Sequence, residues 1–296
     1  MKQFFSFSFL ILFLLTACTQ SNEKGSKKNP IEISLIPTKE AQSLLLAGSD
    51  LQNWLNKETN LYFNVTVPNN YIAVVESFGS GRADVAFLTT NSFAIAYKKY
   101  SVEPQFLTLS TDGQDVYKGQ FLVHADSKIK SINDIVGKKI AYVDPSSASG
   151  YILPAYLLKK KNIKPKEYVF AGKHDSAVTM LYQKQVDVAA TFYTPPDNGI
   201  INDARRLVKT QFPDVESKIK ILDFTQEIPN DAVVFRKDLN NDLKNILHAA
   251  LFKWSETVEG KKTLKALNNG SGFKKVSLSD YQDTLNILTE MEKELK

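Results

Sequence analysis

The segment Asp144-Pro145-Ser146-Ser147-Ala148-Ser149-Gly150-Tyr151 gathers hydroxyls and small residues between an apolar run, 139–143 (KIAYV), and a stretch of helical spacing over 151–161. Serines at a helix start cap its free N–H groups. The same place offers unpaired backbone donors and the positive end of the helix dipole. Ser146, Ser147 and Ser149 add hydroxyl donors, and small residues let an anion come close to the backbone. Such a turn can hold a tetrahedral oxyanion without a lysine. It can equally be a serine-rich cap with no ligand, and the pattern alone leaves both readings open. Pro154 is tolerated early in a helix, which favours a start near Ser149 or a kink there.

A second junction of the same kind is Phe87-Leu88-Thr89-Thr90-Asn91-Ser92, where hydroxyl and amide donors follow the apolar run 84–88. Two such junctions, one in each half of the chain, would let a single anion bridge both halves. Tyr71 stands at a helix start after Pro68-Asn69-Asn70 and can offer its phenol, although with 12 tyrosines a core aromatic is the commoner role. His174, between the strand candidate 168–171 and a helix, can donate to an oxyanion or serve as a surface or capping residue. Asp231, in Ile228-Pro229-Asn230-Asp231-Ala232, is useful beside an anion only if it accepts a proton from the ligand or a charge-assisted bond from a ligand amine. A solvated turn aspartate is the usual case. The histidines, His124, His174 and His248, show no triad or metal spacing, so a hydrolase has little support. With Cys18 the sole cysteine, there is no intrachain disulfide, Cys-rich zinc site or thioredoxin-type pair.

The elements that must position these groups alternate. Strand candidates at 31–36, 61–67 and 84–88 are separated by helix candidates at 41–55 and 71–78, with a further helix at 92–100. A second series has strands at 117–124, 139–143, 168–171 and 186–191, with helices at 132–136, 151–161 and 176–183. Helices at 241–255, 260–267 and 279–295 close the chain. This is α/β grammar with a largely parallel sheet. Two α/β segments and a helical tail imply two lobes, with a crevice between them at the carboxyl ends of the strands. Fold analogy of that kind does not fix a function.

The chain has 296 residues, 43% hydrophobic and 23% charged, with a formal charge of +5, an ordinary globular balance for roughly two domains. The basic residues are spread, which gives no support for nucleic-acid binding. Met1-Lys2-Gln3 followed by a mostly apolar run to Leu15 is the layout of a secretory signal, too short to span a bilayer, which takes about 20 residues. Leu15-Thr16-Ala17-Cys18 resembles the lipobox of bacterial lipoproteins, cut before the cysteine and lipidated on its thiol. Loss of residues 1–17 removes one lysine and leaves a charge of +4. Residues 18–30 then read as lipidated cysteine and flexible tether, giving a protein anchored to a membrane without crossing it.

Taken in order, these segments resemble the substrate-binding lipoproteins of bacterial ABC importers for phosphonate, phosphite and phosphate. The landmarks are Tyr71 with Ala73 and Glu76, Ser80-Gly81-Arg82-Ala83-Asp84-Val85-Ala86-Phe87-Leu88, the 144–151 loop with Pro154, Phe170-x-Gly172-x-His174, Val186-Asp187-Val188-Ala189, and Ile228-Pro229-Asn230-Asp231. The resemblance covers about 31–267. It implies a two-lobed type II periplasmic-binding-protein fold with a hinge and an inter-lobe ligand cleft. Lobe one would be 31–114, lobe two 115–226, and 227–296 the return to lobe one with the C-terminal helices. It also implies a small phosphorus oxyanion at the Ser147–Ser149 helix start, with Tyr71, His174 and Asp231 as further contacts. Ser146, Ala148, Thr89, Thr90 and Thr194 complete the expected ligand-binding set. Delivery would be to an ABC permease and its ATPase, with no cofactor, no metal and no catalysis. There are departures. Ala148 stands where many relatives have threonine. Thr89-Thr90 replaces a common Gly-Pro pair. Thr194 falls where relatives that hold an aminoalkyl group often carry an acid, which favours phosphate, phosphite or a simple alkylphosphonate over 2-aminoethylphosphonate. The rival from the same fold is a receptor for a thiamine-like compound or a metal, which would prefer a cleft of carboxylates or aromatics.

Overall fold

The computed structural model describes residues 23–196 and 199–295. The signal sequence and Cys18 therefore lie outside the described residues. The chain opens with β1 (Ile31–Leu35) and α1 (Ala41–Thr59). The Glu40 carboxylate starts α1 by accepting the N–H groups of Gln42 and Ser43, both at 2.9 Å. Asn60, left-handed at φ 57°, stops it. Then come β2 (Phe63–Thr66), α2 (Tyr71–Gly79), β3 (Val85–Leu88), α3 (Thr90–Tyr100) and β4 (Glu103–Ser110). Asn70 caps α2 through its side-chain oxygen on Ala73 N–H, 2.8 Å.

The second series is β5 (Val116–His124), β6 (Lys139–Tyr142), α4 (Leu153–Lys160), β7 (Glu167–Phe170), α5 (His174–Tyr182), β8 (Val188–Tyr193), a short α6 (Val215–Lys218) and β9 (Ile219–Pro229). The chain then returns through β10 (Ala232–Phe235), α7 (Asn241–Glu256), α8 (Val258–Asn268), β11 (Gly270–Lys275) and α9 (Gln282–Leu295).

Two sheets result. One has the order β11-β4-β10-β3-β1-β2 and the other β7-β6-β8-β5-β9. Both are mixed rather than largely parallel. The pairs β1/β2, β1/β3, β6/β7 and β6/β8 are parallel. The pairs that β5, β10 and β11 make are antiparallel. The strands β4, β9, β10 and β11 escape the sequence reading. β9 (IKILDFTQEIP) buries little of either face, and β11 (GSGFKK) is a glycine-containing edge. Their identity comes from their pairing partners, not from their own pattern.

The chain passes between the sheets twice, after β4 and after β9, and the two crossings are bonded side by side. Thr108 N–H donates to Asp231 C=O and Asn230 N–H to Asp115 C=O, both at 2.9 Å. The Asn230 side-chain amide adds a bond to Gln114 C=O, 2.9 Å. Two short crossings lying side by side and running in opposite directions make a hinge: few dihedrals need change for the lobes to swing.

The core of the first lobe packs Ile33, Leu51, Phe106, Val233 and Trp254 between its sheet and the α1/α7/α8 side. On the second, Phe121, Ile140, Leu158 and Val188 do the same. α9 lies across both lobes, with Leu288 and Met291 against Ile152 and Leu153 of lobe two and Ile228 of β9.

Of the segment expected to be a free tether, residues 23–30 instead fold onto lobe one. Lys24 reaches the fully buried Asp84 at 2.6 Å, and Tyr62 N–H donates to Gly25 C=O at 2.8 Å. Asp84 also receives Arg236 at 3.1 Å and the N–H of Glu32 at 2.9 Å. The acid of the Gly81-Arg82-Ala83-Asp84 string is thus a fastening for the N-terminal strand. No helix among the described residues is long and apolar enough to cross a membrane.

Candidate functional site

Between the lobes lies a cavity of about 80 Å³. Of the residues singled out in the sequence, Thr89, Ser149, His174, Thr194 and Asp231 line it. Tyr71, Thr90, Ser146, Ser147 and Ala148 are not among the lining residues.

The serine turn follows β6 and enters a π-helical turn, Ala148–Ile152, that runs straight into α4. Pro154 near the start of α4 lacks the N–H that a regular helix would use, and the wider turn ahead of it accommodates that. Asp144 starts the bend: its carboxylate accepts Ser146 N–H at 2.7 Å. Ser147 Oγ accepts Gly150 N–H at 3.0 Å, a cap contributing about 1 kcal/mol. Gly150 is required here, because a Cβ would meet Val143 Cγ2 at 2.5 Å. Ser146 and Ser147 therefore shape the turn, while Ser149 faces the cavity. The Ala148 methyl packs with Ile152, Leu153, Leu288 and Met291 and so is a core contact.

From lobe one, β3 ends at Thr89 and α3 begins at Thr90. Thr89 Oγ1 donates to Ser92 Oγ, 3.0 Å, and Thr90 Oγ1 to Pro229 C=O, 2.5 Å. Asn91, buried on the first turn of α3, crosses the gap: its side-chain amide donates to Ser146 C=O at 3.1 Å. His174 N–H makes a second crossing to Thr38 C=O, 3.4 Å. The two helix starts are thus tied to one another in a closed arrangement.

Buried polar atoms without partners collect at this place. They include the Tyr71 hydroxyl and His174 Nδ1. Tyr71 is fully buried, and burial, together with the Asp144 and Asp231 carboxylates, pushes its phenol well above the usual range. It stays a neutral donor, near the Ser147 hydroxyl. Burial drops the His174 imidazole to about 3, so the ring is neutral at physiological pH. It stands edge-on to Phe192, centroids 4.9 Å apart. Asp231 is raised to about 6 by burial, partly offset by a hydrogen bond from the Asn268 amide (3.4 Å) and by the Lys39 charge. Thr194 Oγ1 donates to Asn202 C=O, 3.1 Å, so no acid stands at that wall.

The sequence reading missed Lys39, Thr38, Thr108, Ser110, Tyr117, Asn230, Asn268 and Asn269, all of which line the cavity. Tyr117 opens β5 beside Ser149 and Thr90, and burial keeps its phenol protonated. Its position after the first crossing was the available signal. Asn268 and Asn269 end α8, with Asn269 left-handed at φ 60°. Nothing local marks them as facing a cleft made by another part of the chain. Gly119 of β5 has a similar hidden role, since a Cβ there would meet Ser149 C=O and Thr225 Cγ2, each at 2.9 Å. Its bareness lets the serine turn rest on the sheet.

Chemically, the lining offers hydroxyl, imidazole and amide donors together with the Lys39 ammonium. Asp231 is the one carboxylate among the described lining residues, and no group of three or more His, Cys, Asp or Glu side chains placed to hold a metal occurs among the described residues. Comparison with known proteins agrees with this chemistry. A family model described as "ABC transporter, phosphonate, periplasmic substrate-binding protein" matches residues 33–281. The phosphonates-binding periplasmic protein of Escherichia coli is 24% identical over 272 residues, 88% of this chain and 77% of that protein. The phosphate-import protein PhnD of Mycolicibacterium smegmatis is 26% identical over 210 residues, 65% of each chain. Among solved structures, a binding-protein component of a phosphonate ABC transporter from Pseudomonas aeruginosa superposes with a TM-score of 0.76 at 23% identity, covering 88% of this chain and 85% of its own. PhnD1 of Prochlorococcus marinus, solved with methylphosphonate, gives 0.73 at 18% identity, covering 90% and 97%. With its family match running through both lobes and the hinge, the chain belongs to the phosphonate periplasmic substrate-binding proteins of ABC transporters.

Proposed function

We propose that this protein captures a small phosphorus oxyanion outside the cytoplasm by closing its two lobes on it, and presents the closed form to a membrane permease. The observation that carries the reading is the convergence of buried neutral donors from both lobes. Thr89 and Tyr71 come from the first, Ser149 and His174 from the second, and Asn91 bonds one side to the other at 3.1 Å. An anion held by several such donors exchanges its hydration for fixed dipoles in a low-dielectric space. Each hydrogen bond to a charged group contributes roughly 1.5–3 kcal/mol net, so a few suffice for micromolar binding at about −8 kcal/mol after closure costs. Phosphonate, phosphite and phosphate share the tetrahedral oxyanion this site fits. Lipidation at Cys18 would hold the receptor at the membrane.

Isothermal titration calorimetry with phosphite, phosphate and methylphosphonate tests the reading. Ser147→Ala combined with Ser149→Ala is expected to weaken the tightest of them about tenfold or more, ~1.4 kcal/mol. Unchanged affinity would refute the assignment of the serine turn.

A further inference from the structure

The cavity has a cationic end that the oxyanion clasp does not use. Lys39, in the loop between β1 and α1, lines the cavity together with Asn268 and Asn269 at the carboxyl end of α8. Its ammonium donates to Ala266 C=O in the last turn of that helix. From lobe two, the Arg206 guanidinium donates to the Asn269 side-chain oxygen, and its Nε is buried with no partner. Asn269 in turn donates to Asn202 C=O of lobe two, 3.3 Å. Lobe closure therefore brings two cations, one from each lobe, to the same stretch of rim. Neither forms an ion pair among the described residues, and Asp231, the acid whose charge Lys39 feels, is bonded to Asn268 instead. Burial and the nearby Arg206 charge lower Lys39 to about 8, which keeps it mainly protonated at neutral pH. The Asp231 carboxylate offsets Lys39 in part, and no acid pairs with Arg206 among the described residues, so the two like charges still oppose closure. A negative group on the ligand would remove that opposition and give charge-assisted bonds in its place.

We propose that Lys39 and Arg206 form a second, anion-binding subsite that selects phosphorus oxyanions carrying an additional acidic group, such as a carboxylate or a second phosphoryl, over aminoalkyl phosphonates. This rests on the oxyanion reading of the clasp and names the class of substituent that reading leaves open. A carboxylate arm meets two cations and amide donors. An ammonium arm adds a third positive charge to the rim, and a methyl group gains nothing there.

The test is calorimetry of the purified protein with methylphosphonate, phosphonoacetate and 2-aminoethylphosphonate, repeated on Lys39→Met and Lys39→Arg. The expected result is phosphonoacetate at least about tenfold tighter than methylphosphonate, with 2-aminoethylphosphonate weakest. Lys39→Met should bring phosphonoacetate to within about threefold of methylphosphonate, and Lys39→Arg should restore the preference. Thermal unfolding of each variant separates this from simple loss of the bond to Ala266, which would lower Tm and weaken all three ligands together, against the proposal. Equal binding of the three by the unaltered protein overturns the subsite alone. Binding of none of them overturns the oxyanion reading and the subsite with it.

Discussion

Asp231 is the residue whose chemistry is least expected beside an anion, and its titration gives the sharpest test at this scale. Burial raises it to about 6. A raised acid favours the folded state most where it is protonated. Its contribution is full below the ordinary aspartate pKa of about 3.9 and is lost as pH rises through about 6. The groups that face it are Lys39, which titrates near 8, and the phenols of Tyr71, Tyr117 and Tyr281, all held protonated. Between pH 4.5 and 7 Asp231 is therefore the member of this set that changes charge. Asp231→Asn should raise Tm relative to the unaltered protein more at pH 7 than at pH 4.5. Phosphite or methylphosphonate affinity should also lose part of its decline between pH 5.5 and 7 in the variant, the ligand's own ionisation cancelling in the comparison. A Tm difference that does not vary with pH would count against the buried carboxyl. Thr89, Ser149, His174 and Asp231 were legible in the sequence because each stands at a junction where polar donors follow a strand or a proline turn. Lys39, Tyr117, Asn268 and Asn269 were not, because their neighbours in space are distant in the chain.

At the scale of elements, the serine turn works because the surfaces under it are bare. Gly119 of β5 leaves room for Ser149 C=O, and Gly150 for Val143. Gly119→Ala should push the turn off the sheet. Overpacking of that kind costs about 1–3 kcal/mol, and the expectation is a lower Tm together with weaker oxyanion binding. An unchanged Tm and affinity would show that the turn has freedom the packing denies it. Helices α1, α2 and α7 were readable from apolar spacing and capping residues such as Asn70. The strands β9 and β11 were not, since β9 is mostly half-exposed and β11 begins Gly-Ser-Gly. The parallel character expected from strand–helix alternation is limited to one side of each sheet, β3-β1-β2 and β7-β6-β8, because the two crossings introduce antiparallel partners.

For the whole molecule, the hinge, the two helix starts and α9 act together. The crossings at 111–115 and 230–231 let the lobes move, while Asn91 and the His174 backbone hold them shut. Leu288 and Met291 of α9 span the lobes on an apolar patch with Ile152 and Leu153. The two-lobed plan was legible from two rounds of α/β alternation and the ordered landmarks. The closed geometry was not, since it depends on side-chain bonds between lobes such as Asn91 to Ser146. The most direct measurement is a crystal structure of the protein with methylphosphonate. It should show the phosphonate oxygens within about 3.2 Å of donors from both lobes, Thr89 or Tyr71 on one side and Ser149 or His174 on the other. A phosphonate bound to one lobe alone, or lying away from these residues, would contradict the account.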